Sequence, residues 1–146
     1  MKRLLCLPCL VLALFVPNAH AVDVTGDPQF QAWADQSLVS TPSFRIFARN
    51  RSCPFFTAAP GRVVACARRF TVWVELGFGD GSRWRFFHEL GHVVHRQVFG
   101  GRFWLPEVFA ERFAQCGIYG EQGVQVFPVP LGWCARLSGW IDRRGM

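Results

Sequence analysis

Apolar positions recur along this chain in two rhythms, one helical and one of period two. Phe30, Trp33, Ala34 and Leu38 follow Asp27-Pro28 at helical spacing. An aspartate N-cap with proline at the first helical position predicts a short amphipathic helix ending near Ser40. Phe44 to Ala48 reads as a strand, and Arg51 to Gly61, with a cysteine, two prolines and a glycine, as a loop. Arg62 to Ala67 and Phe70 to Leu76 read as two further strands; in the second, Val72 and Val74 alternate with Thr71, Trp73 and Glu75. Gly77-Phe78-Gly79-Asp80-Gly81-Ser82 breaks that rhythm. Ser82 is placed to cap a helix over Arg83 to Phe99, about 25 Å long, which Gly100-Gly101 ends. Its predicted buried side is Trp84, Phe87, Leu90, Gly91, Val94 and Val98. A second helix is expected from Pro106 to about Cys116, an irregular stretch or short strand over Val124 to Val129, and a closing helix over Trp133 to Ile141. The pattern contains no internal repeat and no low-complexity segment. It predicts an α+β fold, a short sheet packed on the long helix Arg83 to Phe99, which a second, antiparallel helix accompanies.

The first 21 residues follow a different pattern. Lys2 and Arg3 precede an apolar run from Leu4 to Pro17, and Ala19-His20-Ala21 has the small residues of a cleavage site. A run of about 14 residues suits a secretory signal and is short for a membrane span. Cleavage is expected after Ala21, leaving residues 22–146 as one exported domain, secreted or periplasmic, with no stable membrane insertion. Cys6 and Cys9 fall in the removed segment, so their C-L-P-C spacing carries no redox reading. Four cysteines remain. An even number in a small exported chain predicts two disulfides, and the shortest loops pair Cys53 with Cys66 and Cys116 with Cys134.

Past residue 21 the chain carries 14 arginines and no lysine against 10 acidic residues. The arginines are scattered, which predicts a solvated face attracted to anionic envelope polymers and argues against nucleic acid as a partner. Nothing in the pattern sets an oligomeric state.

The candidate chemistry lies in F-F-H-E-L-G-H-V-V-H, residues 86 to 95. Residues four apart share a helical face, so His88 and His92 project together and can chelate one zinc ion. Glu89, one step round, can reach a zinc-bound water without binding the metal, the general-base position of the H-E-x-x-H arrangement. His95 lies too far along the axis to complete the same coordination shell, so it is expected as a cleft wall or proton donor. The metzincin pattern is absent: His95 and Val98 stand where it needs glycine and histidine. The third ligand is then expected from the helix after Pro106, where Glu107 and Glu111 share one face; helix geometry alone leaves both open.

H-E-L-G-H followed by E-x-x-A-[DE]-x-F-A resembles the gluzincin-type zinc metallopeptidases, in particular their minimal zincin cores. The resemblance covers about Ser82 to Cys116. It implies that Glu107 is the zinc ligand and that Glu111 orients a zinc-binding histidine, as ligating imidazoles usually require. The arrangement is also similar to small exported proteins of unknown role whose H-E-L-G-H helix precedes a Pro-Glu-x-Phe-Ala helix ending in cysteine. In such zincins the strand entering the active-site helix is an edge that pairs with extended substrate, which here implies the strand Phe70 to Leu76 and a peptide or protein substrate.

The expected activity is hydrolysis of peptide bonds by one Zn²⁺ per chain, held by His88, His92 and Glu107, with Glu89 as general base and Tyr119 or His95 as donor to the oxyanion. Two other readings fit the same residues. One is a zinc amidase acting on cell-wall peptide links. The other is a non-catalytic envelope or interaction protein that uses zinc and disulfides to stabilise a small core.

Overall fold

The structure, a computed structural model, describes residues 22–39, 41, 43–55, 63–102, 105–122 and 129–144. The expected signal segment and its cleavage after Ala21 lie outside these residues, as do Cys6, Cys9 and all of the Val124 to Val129 stretch except Val129.

Four short strands form a mixed sheet: β1 (Asp23–Gly26), β2 (Arg45–Asn50), β3 (Ala65–Arg68) and β4 (Thr71–Val74). Their order is β1-β2-β4-β3, with β1, β2 and β4 parallel and β3 antiparallel to β4. The helices α1 (Pro28–Asp35), α2 (Asp80–Phe99), α3 (Pro106–Ile118) and α4 (Trp133–Arg144) complete the α+β fold. Ile46, Ala48, Val72 and Val74 join Phe30, Phe86, Phe87, Leu90, Phe113, Leu137 and Ile141 in one buried core between sheet and helices. The two-residue rhythm of β4 explains this, since its alternate residues turn Val72 and Val74 to the helices. Trp73 faces the other way, yet is buried too, because the bonded Cys53–Cys66 pair and Phe55 cover it.

Several elements depart from the sequence reading. β4 is not an edge strand; it lies between β2 and β3, and the edge on that side is β3. A two-residue turn, Arg69-Phe70, makes the strands on either side a hairpin. The strand β1 was not foreseen: only Val24 of its four residues is buried, too little for a periodic signal. Helix α1 stops at Asp35 rather than near Ser40. There the chain is drawn across to α3, as the Leu38 amide donates to Gly117 O at 2.9 Å, and Leu38 is left 62% exposed while Val39 is buried.

Ser82 lies inside the first turn of α2 and does not cap it. Gly79 takes the N-cap position at φ +53, a conformation glycine adopts without steric cost. The Ser82 hydroxyl instead accepts from the Phe78 amide and donates to Glu75 O, tying the end of β4 to the start of α2. Trp84 and Val98, expected in the buried side of α2, are half-buried against the core, and Phe86, Val93, His95 and Phe99 are buried beside Phe87, Leu90 and Val94.

Helices α2 and α3 run antiparallel, with Phe87 near Gly117, Gly91 against Ala110 and Phe113, and His95 against Phe109. Cys116 is bonded to Cys134, which fastens the last turns of α3 to the first turn of α4. Both disulfides are the short-loop pairings expected from the sequence.

Candidate metal centre

Gly91 lets two backbones meet. A Cβ built there would come within 2.7 Å of Ala110 Cα, 3.1 Å of Phe113 Cβ and 3.2 Å of Ala110 O. With no side chain in the way, α3 lies close enough for residues just before and just after the contact to reach across. His88 and His92 on α2 meet Glu111 and Glu107 on α3 in the order an antiparallel pair dictates.

Three donor atoms converge. His88 Nε2 and His92 Nε2 lie 3.2 Å apart, and Glu107 Oε2 is 3.4 Å from each. Four donors placed tetrahedrally at 2.0–2.1 Å from one ion are separated by about 3.3–3.4 Å along each edge. The triangle therefore has the dimensions of one face of a tetrahedral site, and this group could hold a metal ion. The donor set, two imidazoles and a carboxylate, suits a divalent metal of borderline softness. Glu107 occupies the first turn of α3, where a negative charge is favoured, and its side chain is 77% exposed.

Glu111 stands behind His88. Its Oε2 is 3.1 Å from His88 Nδ1. A proton on Nδ1, donated to this carboxylate, leaves the Nε2 lone pair directed at the triangle. Arg112, a conceivable partner for the two acids, lies instead 4.6 Å over the ring of Trp133.

Glu89, His88 and His92 line one cleft of about 630 Å³ together with Glu107, His95, and Ala65 to Ala67 of β3. Burial, with the nearby Glu107 carboxylate adding to it, pushes Glu89 up from 4.5 to about 7. Burial also holds the His92 imidazole below its ordinary value; His88 and His95 push the same way, and Glu107 opposes them.

The two expected oxyanion donors part company. His95 is 4% exposed and lines the cleft, its ring packed against Phe99 and Phe109. Tyr119 stacks on Trp84, one turn before His88, and is not among the residues lining the cleft. The sequence reading missed Arg69 and Arg96, which line the cleft as well. Arg96 had a signal: it lies four residues after His92, on the same helical face. Arg69 had none, because its position depends on how the β3–β4 hairpin lies over α2.

No protein-family model, curated protein or solved structure matches the chain.

Proposed function

We propose that this chain is an exported, zinc-dependent hydrolase of peptide bonds. His88, His92 and Glu107 hold one zinc ion, and Glu89 is the general base. The observation that carries this reading is the triangle of His88 Nε2, His92 Nε2 and Glu107 Oε2 at 3.2, 3.4 and 3.4 Å, beside a glutamate in the same cleft.

When bound, the ion supplies Lewis-acid activation of a water molecule and a counter-charge for the substrate carbonyl. The chain's residues divide the remaining work. Glu89 accepts the proton of the attacking water and can return it to the leaving amine. Glu111 orients His88. His95 is the expected donor that lines the cleft, so it is assigned to the developing oxyanion in preference to Tyr119. The edge strand β3 supports a peptide substrate, because Ala65 to Ala67 border the cleft and an outermost strand can accept another alongside it. Export is supported by the two disulfides. Among the described residues no helix is long and apolar enough to cross a membrane.

The test is elemental analysis of the purified protein with peptide-library digestion. One zinc per chain is expected, together with cleavage that falls at least about 100-fold in Glu89→Gln while zinc stays bound. Zinc retention without cleavage of any peptide would favour the structural-zinc reading, and absence of zinc would end both.

A further inference from the structure

We propose that the cleft is built for a substrate bearing a carboxylate near the scissile bond, held by Arg69 and Arg96. This deepens the hydrolase reading and rests on it. Both arginines line the cleft that contains His88, Glu89, His92 and Glu107. The two acids there have other roles, one as ligand and one as base, so the two guanidinium groups bring positive charge that the site does not use.

Several other arginines among the described residues are occupied. Arg45 pairs with Asp23, and Arg68, Arg85, Arg112 and Arg144 lie over aromatic rings. Among the described residues, Arg69 and Arg96 have no ion pair, hydrogen bond or ring contact through their side chains. Arg96 is exposed, one helical turn beyond His92.

Arg69 has a second peculiarity. It is the first residue of the two-residue turn between β3 and β4, at φ +55. Such turns usually place glycine, asparagine or aspartate at positive φ, and a Cβ there is strained. A large basic side chain is tolerated at the strained position, and strained backbone of this kind gathers at ligand-binding sites. Arg69 follows the last residue of β3, so a peptide laid along that edge passes it. A planar, forked guanidinium suits carboxylate recognition. The carboxylate could come from an acidic side chain or from the substrate's C-terminus.

Three hydroxamate-capped dipeptides tested by calorimetry on the zinc-loaded full chain decide the matter. One carries glutamate with an amidated end, one glutamine with a free carboxylate end, and one glutamine with an amidated end. At least one of the first two is expected to bind about tenfold tighter than the neutral third, and which one does so identifies the source of the carboxylate. The preference should shrink in Arg69→Gly, where glycine accepts the turn, and in Arg96→Gln. It should vanish in the double variant, with the neutral probe unchanged within about twofold in all of them. Equal binding of all three probes, or a preference surviving in the double variant, overturns this proposal alone. Failure of every probe to bind overturns the metallohydrolase reading and this one with it.

Discussion

Gly91 on α2 lies against Ala110 on α3, the two helices that carry the candidate metal-binding group, with only 2.7 Å available between a residue-91 Cβ and Ala110 Cα. Backbone cannot give way as the end of a flexible side chain can. Gly91→Ala should therefore push the helices apart and separate His88 and His92 from Glu107. Alanine's better helix propensity, about 1 kcal/mol, offsets part of an overpacking cost of about 1–3 kcal/mol. The expected result is a lower melting temperature and zinc affinity reduced by about tenfold or more. Gly139→Ala on α4 is the contrast, since its Cβ would meet only Arg143 Nη1 at 3.4 Å. That variant should melt at the same temperature or higher. A Gly91→Ala protein that binds zinc like the parent would show that the helix contact does not set the site.

Glu111 touches only the far nitrogen of His88, whereas Glu107 touches the near nitrogens of both histidines. The two acids should separate in a titration. Glu111→Ala removes the group that orients one ligand and is expected to weaken zinc binding about 10–100-fold. Glu107→Ala removes a donor and should weaken it further. Competition with a chelator of known affinity measures both. The reverse order would exchange the roles assigned to the two residues.

The residues of the candidate metal site were legible as a group because their spacing is local. His88 and His92 share a helical face by spacing alone, and the short link after Gly100 turns the next helix back beside them. The choice between Glu107 and Glu111 was not legible from helix geometry, because both lie on one face; the packing of Ala110 against Gly91 sets which acid reaches which nitrogen. Strand order was equally hidden. β4 carries the clearest alternation in the chain, yet nothing in that alternation says that β3 folds back outside it. The burial of Trp73 depends on the covering Cys53–Cys66 loop, and the Arg69 contribution to the cleft on the same hairpin. These are contacts between distant segments, to which periodicity is blind.

The two disulfides should differ in what their loss does. Cys116–Cys134 spans 18 residues and anchors α4 to the fully buried Cys116 of α3. Cys53–Cys66 spans 13 residues and braces the edge strand at the back of the sheet. Loop closure in the unfolded chain assigns each about 3 kcal/mol. The double alanine replacement of either pair should lower stability in urea by roughly that amount. Zinc affinity in Cys53→Ala/Cys66→Ala should stay close to the parent's, because Cys66 borders the cleft but neither cysteine belongs to the group that could hold the ion. A large loss of zinc there would mean that the edge strand, and not the helix pair alone, holds the site together.

Zinc itself should act as part of the fold. The three atoms proposed to hold it lie on two helices, so an ion bound between them would resist any unfolding that parts α2 from α3. A ligand that binds only the folded chain stabilises it by about 4 kcal/mol at a thousandfold excess over its dissociation constant. For a domain of this size that corresponds to a rise in melting temperature on the order of 10 °C. Scanning calorimetry of the chelator-treated protein, before and after zinc is restored, gives the shift. Glu89→Gln should keep all of it, because Glu89 is not a donor in the triangle, whereas Glu107→Ala should lose most of it. If Glu89→Gln abolished the stabilisation, Glu89 would be a ligand and the general-base assignment would have to be abandoned.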